Sequence, residues 1–398
     1  MTDVSKLLPE ARDLVDDAIS LRRDLHAHPE LGLQLPRTQR VILDALAGLE
    51  LNITLGSALT SVTAVLETGR PGPTVLLRGD MDALPMPEDT GLDYASTVEG
   101  AMHACGHDAH VAMLVGAARL LRAREKELSG RVIFMFQPGE EGFHGARFML
   151  EEGVLGDEGV DLAFAIHQTP GMPSSMIATK GGTLLASADV FSIDVIGKGG
   201  HASMPHHALD PIPVACEIVL ALQSLVTRKV DVFDPAVVTV GTITSGTTNN
   251  VIPEIAHIRG TIRTVSSRNR VFVQQEIERV AKGIATAHGL TVDFGLVPGF
   301  PVTVNDTAVA EWVRQVAQEL VGDGRVLDMP NPVMGAEDFS YVLEQVPGAM
   351  AFLGTCPDGV SLKDVAPNHS NRMIIDESAM ATGIALYAAV ALARSAGA

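Results

Sequence analysis

The 398-residue chain has three cysteines, Cys105, Cys216 and Cys356. An odd number of widely separated thiols makes no disulfide framework for a chain of this size, so reduced thiols are expected. Cations are scarce as well, with 29 Lys and Arg against 48 Asp and Glu and a formal net charge of -19. Nucleic acid and anionic membrane surfaces are bound through clustered Lys and Arg, so both are excluded as expected partners and a small molecule is favoured. No run of 18 or more apolar residues is free of charge, which argues against a membrane span. The opening "MTDVSKLLPEARDLVDD" is acidic and amphipathic where a secretory signal would be basic and then apolar, and a cytoplasmic location is the expectation. Also missing are C-x2-C pairs, H-E-x-x-H, G-x-S-x-G and a P-loop, as are internal repeats and low-complexity segments.

What is present is 46% hydrophobic residues with 19% charged and 38 glycines, the balance of a fully folded globular chain. Its length exceeds what one core usually serves, so two domains are expected, one of them inserted in the other. The first part alternates helical periodicity ("EARDLVDDAISLRRDLHAHPE", "TQRVILDALAGL") with apolar runs bounded by Gly and Pro ("PTVLLRGDMDALPM", "RVIFMFQPGEEG", "LAFAIHQTP"). Such alternation predicts βαβ units around a mostly parallel sheet. "AHVAMLVGAARLLRAREKEL" predicts a helix, with Asp108 as its N-cap. From about residue 182 the pattern becomes strand, helix, two strands, helix, strand, which predicts a small ferredoxin-like α+β domain inserted at 182–297. The flanking segments 1–181 and 298–398 then form the other domain.

The polar residues that stand out fall at expected strand exits, where ligands of α/β sheets gather. Asp80 and Asp82 follow "TVLL", Glu140 and Glu141 follow "VIFMF", and His167 ends "LAFAI". "HACGHDAH", residues 103–110, adds Cys105 and His107 just before a helix. Cysteine, histidine and carboxylate are the donors of a zinc-like cation, and donors drawn from distant segments favour a catalytic site over a closed structural one. In "PGEEG" one carboxylate could bind metal while its neighbour stands free to take a proton. Alone, an EE pair reads as a solvated acidic turn and a single strand-end histidine as a hydrogen-bonded core residue, and the residues themselves leave these alternatives open.

The stretches "RRDLHAHPELG", "RGDMDALPM", "HACGHDAH", "FQPGEEG", "GKGGHASMPH", "NVIPE", "GTIRT", "GAEDFS" and "HSN", in this order over nearly the whole chain, resemble the M20 family of metallo-aminoacylases and carboxypeptidases. The branch they are most similar to contains hippurate hydrolases, indole-acetyl amino acid hydrolases and N-acyl-amino acid amidohydrolases. The resemblance implies a zinc-peptidase-like catalytic domain with a mixed, mostly parallel sheet, and an inserted lid that also mediates dimerisation. It implies two divalent ions, zinc or alternatively manganese or cobalt, held by Cys105, His107, Glu141, His167 and His369. Glu140 would be the general base and Asp82 would orient a ligand, while His103, Asp108 and His110 would support or cap. Asp80 stands where other branches have a metal-binding histidine, and its role stays open. His201 would stabilise the oxyanion, often from the partner subunit, and Asn250 and Arg263 would hold the substrate. The activity implied is hydrolysis of N-acyl-L-amino acids such as N-acetyl or N-benzoyl derivatives, by a homodimer or alternatively a tetramer. Rivals are a dipeptidase or carboxypeptidase, an N-acetyl-diaminopimelate deacetylase, and a catalytically silent metal-binding interaction protein.

Overall fold

The computed structural model of the chain describes residues 4–156 and 159–396. Its principal strands, in chain order, are β1 (Asn52–Leu55), β2 (Val62–Glu67), β3 (Thr74–Asp80), β4 (Arg131–Gln137), β5 (Leu162–Thr169), β6 (Ile177–Thr179), β7 (Asp189–Ile196), β8 (Ala236–Ser245), β9 (Ile255–Thr264), β10 (Thr291–Pro298), β11 (Val326–Asp328) and β12 (Gly348–Gly354). The helices are α1 (Leu7–Asp13), α2 (Val15–His26), α3 (Pro36–Leu46), α4 (His107–Ala123), α5 (Gly145–Glu151), α6 (Pro211–Lys229), α7 (Ser267–Ala287), α8 (Thr307–Val321) and α9 (Met380–Ala396). They fall into two compact units, one made of residues through Leu184, Val304–Asn331 and those from Asp338 on, the other of Leu185–Thr303 with Pro332–Glu337.

The first unit is built on an eight-stranded mixed sheet in the order β1-β2-β4-β3-β5-β12-β6-β11. Its four central strands, β4, β3, β5 and β12, are mutually parallel. They are also nearly continuous apolar runs, as strands covered on both faces must be. All seven residues of β3 and of β12 are buried. Crossover segments between parallel strands leave at the strand ends, so the polar residues at or just beyond the ends of β3, β4 and β5 collect at one end of the sheet. Helices α4 and α9 approach closely because glycines face the contact. A Cβ on Gly116 would lie 2.6 Å from Ile384, and one on Gly383 would lie 2.1 Å from the Met113 sulfur.

The second unit has the order β7, α6, β8, β9, α7, β10 along the chain and an antiparallel sheet ordered β8-β9-β7-β10. Numbered within the unit, that order is 2-3-1-4, the ferredoxin-like arrangement. Phe191, Ile193 and Val195 of β7 alternate inward with Ala256, Ile258 and Ile262 of β9, and α6 and α7 supply Val214, Ile218, Val273 and Ile277 to the same core.

Among the described residues, two segments, Pro211–Lys229 and Glu377–Ser395, are long and apolar enough to cross a membrane by length and composition. The apolar window of the second is 83% buried inside the protein, as befits a core helix. Local readings of the sequence change in three places. The first amphipathic stretch breaks at Leu14 into α1 and α2. Strand β5 continues past the apolar run through His167 and Gln168 to Thr169. Asp108 is not a cap: the N-cap of α4 is Gly106, and Asp108 lies inside the first turn, where it is turned to Arg22 and His26 on α2.

Candidate metal centre

The junction between the 103–106 loop and α4 is fixed by Gly106, whose φ of 82° lies in the left-handed region. That turn places Cys105 just before the helix and His107 as its first residue, both buried. Glu140 and Glu141 follow β4, His167 lies within β5, and His369 comes from the loop before α9. His369 itself holds a φ of 66° and its N–H donates to the Ala104 carbonyl at 2.7 Å, which ties its loop to the Cys105 loop. A non-glycine residue in that conformation costs free energy, and such strain concentrates at functional sites.

These donors converge. Single donor atoms of Cys105, His107 and His167 all lie within 4.8 Å of one another, and so do those of Cys105, Glu141 and His369, and those of His107, Glu140 and Glu141. Cys105 belongs to two of the three groups. Its sulfur is 3.4 Å from His167 Nε2, and Glu141 Oε1 is 3.3 Å from His369 Nε2. Both ring nitrogens of His107 and Glu141 Oε1 are buried and make no hydrogen bond of good geometry in the protein, although charged groups lie 3.3 to 3.5 Å from them. Buried polar atoms are rarely left so, because each such group costs roughly 1–3 kcal/mol. Orphaned imidazole and carboxylate atoms beside a thiol are what a divalent, borderline-soft cation would satisfy, so the donor set fits such an ion.

The electrostatics of the centre are polarised. Burial pushes the Cys105 thiol up, against the pull of His107 and His369. Burial opposes the charged form of His107 too, but Asp80, Cys105 and Asp82 outweigh it and raise its pKa well above the imidazole range. His167 is pushed down to about 3 by burial and by the neighbouring His110. His369 is raised to about 10 by the neighbouring Cys105 thiol and Glu141 carboxylate, against the effect of its own burial.

Carboxylates hold the arrangement. Asp82 accepts the N–H of Glu140 on one oxygen and that of Glu141 on the other, each at 2.9 Å, and lies 3.5 Å from His107 Nδ1. Asp80 is fully buried, its Oδ1 bonded to His110 Nδ1 at 2.5 Å and its Oδ2 accepting from Arg78 at 2.6 Å while lying 3.5 Å from His107 Nε2. His110 Nε2 accepts the Gln168 N–H, so its Nδ1 carries the proton given to Asp80. Arg78 in turn reaches Gln137 and Asp338. Burial raises the Asp80 pKa, yet Arg78, His107 and His110 together bring it well below the carboxylate range. Sequence reading passed over Arg78, Gln137 and Gln168; the polar residues interrupting the apolar strands β3, β4 and β5 were the available signal.

The model of peptidase family M20/M25/M40 matches residues 76–393. The chain belongs to that family. It is 38% identical over 393 residues to thermostable carboxypeptidase 1 of Saccharolobus solfataricus, covering 98% of both chains. It is 41% identical over 338 residues to the N-acetylcysteine deacetylase of Bacillus subtilis, covering 85% of this chain and 88% of that one. Among solved structures, the YXEP protein of Bacillus subtilis, described as a dinuclear metal-binding peptidase of family M20, aligns with a TM-score of 0.83 at 35% identity, over 96% of this chain and 99% of that one. This M20 chain is therefore a metal-binding hydrolase of amide bonds.

Three further candidate residues of the M20 hydrolase lie in its second unit. His201 pairs with Val251 in a short antiparallel ladder, and the Ala202 N–H donates to the Asn250 carbonyl at 3.1 Å, so His201 and Asn250 are neighbours. Both are exposed. The Ser203 N–H donates to His201 Nδ1 at 3.1 Å, which leaves Nε2 as the proton-bearing nitrogen of the neutral ring. Arg263 lies on β9, where its Nη1 donates to the Met334 carbonyl at 3.0 Å.

Proposed function

We propose that the protein hydrolyses the amide bond of N-acyl-L-amino acids, releasing a carboxylate and a free amino acid, with two divalent ions per subunit. Cys105, His107 and His167 would hold one ion and Cys105, Glu141 and His369 the other. The observation that carries the reading is the placement of Cys105 in both donor groups with Glu140 beside them. When bound, the ions supply Lewis acidity that polarises the acyl carbonyl and eases deprotonation of a water. Glu140 takes that proton at its carboxylate and passes it to the leaving amine nitrogen. Asp82 fixes the backbone of both glutamates and the ring of His107. His201 donates from Nε2 to the tetrahedral oxyanion, Asn250 holds the acyl-amino acid, and Arg263 receives the α-carboxylate in a bidentate pair.

Zinc suits the Cys/His/Glu set, with manganese or cobalt as alternatives. The second unit acts as lid and dimerisation domain of a homodimer, or of a tetramer assembled from it. The free state of all three cysteines agrees with a reducing, cytoplasmic setting. Carboxypeptidase activity is a second reading, favoured by the 38% identity to an enzyme of that name. Turnover of a panel of N-acetyl and N-benzoyl amino acids against matched dipeptides tests the proposal. The expected result is a kcat/KM for the best N-acyl amino acid at least ~10-fold above that for any dipeptide, a margin of about 1.4 kcal/mol in transition-state binding. Preferential cleavage of peptides would overturn it in favour of the second reading.

A further inference from the structure

Gln168 follows His167 on β5 and is completely buried. A glutamine at that depth is costly unless both ends of its amide are paired. Here its Nε2 donates to the Cys105 carbonyl at 2.7 Å and to Asn368 Oδ1 at 3.0 Å, and its Oε1 accepts the Thr355 hydroxyl at 2.7 Å. Its backbone carbonyl accepts His167 Nδ1 at 2.6 Å and the Asn368 amide at 3.3 Å. One residue thereby touches three segments that each carry a donor: the loop of Cys105, 63 positions away, its own neighbour His167, and Asn368, 200 positions away and adjacent to His369.

Two details show that the amide has one arrangement. The Cys105 carbonyl can only accept, so the NH2 end must face it, and Thr355 supplies a donor to the other end. The space the amide occupies exists because residue 106 is glycine, where a Cβ would lie 2.4 Å from Gln168 Nε2. Nothing in this pattern serves the ladder, since a leucine would fill the same volume in a buried strand.

We propose that Gln168 is a positioning residue of the metal centre, whose side-chain amide sets the spacing of the Cys105 and His369 loops so that the donors are assembled before an ion arrives. The inference rests on the dinuclear reading above. Gln168 contacts neither ion nor reacting atom and acts through Cys105 and His369.

The test is cobalt titration of the metal-free protein against a chromophoric chelator, with the thiolate-to-cobalt absorption band and the cobalt-induced rise in Tm recorded alongside. Gln168→Met keeps the length of the side chain and removes both polar ends. Thr355→Val keeps the shape of its side chain and removes only the donor to Oε1, so it decides the matter if Gln168→Met does not fold. Each should bind cobalt ~10–100-fold more weakly than wild type, the range for residues that orient ligands. The thiolate band should shift or weaken and the cobalt-induced Tm rise should shrink. A merely structural role would lower Tm equally with and without cobalt and leave affinity and band unchanged, and that result overturns the inference while the metal reading stands. A wild-type protein that takes up no cobalt removes both.

Discussion

Glu140 and Glu141 are adjacent in sequence, and a single carboxylate, Asp82, fixes both backbones through separate oxygens. From that shared anchor their side chains enter different surroundings, Glu141 toward Cys105 and His369 and Glu140 toward His107. Glu140→Gln should keep the metal and lower kcat ~10²–10⁴-fold, as removal of a general base does. Glu141→Gln should instead lower metal content, which elemental analysis of the two variants would show. The reverse pattern would invert the assignment. Protonation adds a second expectation. In the metal-free protein His369, raised to about 10, and His107, raised well above the imidazole range, hold protons at neutral pH. An ion needs their bare nitrogens, so metal affinity should rise as pH rises from 6 to 9, and calorimetry in buffers of different ionisation heat should record proton release. The same raised value contributes stability to the metal-free fold that is complete below the ordinary imidazole pKa and is lost as pH climbs through about 10. The donor types at these positions were legible in the sequence because thiol, imidazole and carboxylate carry their chemistry wherever they sit. The role of Asp108 was not legible, because its partners Arg22 and His26 lie 86 and 82 residues earlier on a different helix.

At the scale of elements, the centre depends on how β5 ends and α4 begins. The sequence reading ends β5 at His167, because Gln168 and Thr169 look like an exit. The strand continues because its polar residues find partners inside, among them His110 and the Cys105 carbonyl. Hydrophobic periodicity cannot report a strand extended by polar satisfaction. The start of α4 is set by the left-handed turn at Gly106, and there Gly106→Ala meets two costs at once. The left-handed conformation costs an L-residue about 1–2 kcal/mol, and the added Cβ overlaps the Gln168 amide. The variant should have a lower Tm than wild type even without metal, measured by thermal denaturation, and should bind cobalt more weakly. An unchanged Tm would mean that the turn is not constrained as described.

At the scale of the whole molecule, every proposed metal ligand belongs to one unit and His201, Asn250 and Arg263 to the other. The alternation of the first unit's central strands and helices, and the element order of the second unit, were readable from periodicity, since a buried parallel strand and an amphipathic helix leave different patterns; the antiparallel pair β1 and β2 at the sheet edge was not read. How the two serve one reaction is a matter of assembly, which a single chain's pattern does not encode. If a partner subunit supplies His201, mixing inactive His201→Ala with inactive Glu140→Gln should restore some turnover once subunits exchange, and no restoration would mean that the lid serves its own chain. His201→Ala alone should lower kcat ~10²–10³-fold with metal content unchanged, the loss of one oxyanion donor. The central claim is that a dinuclear centre organised around Cys105 hydrolyses N-acyl amino acids, and divalent metal per chain measured alongside N-acyl-amino acid turnover tests it most directly. Full activity should appear only as the second equivalent of metal is bound and vanish on chelation, whereas full turnover with no more than trace metal would contradict the account.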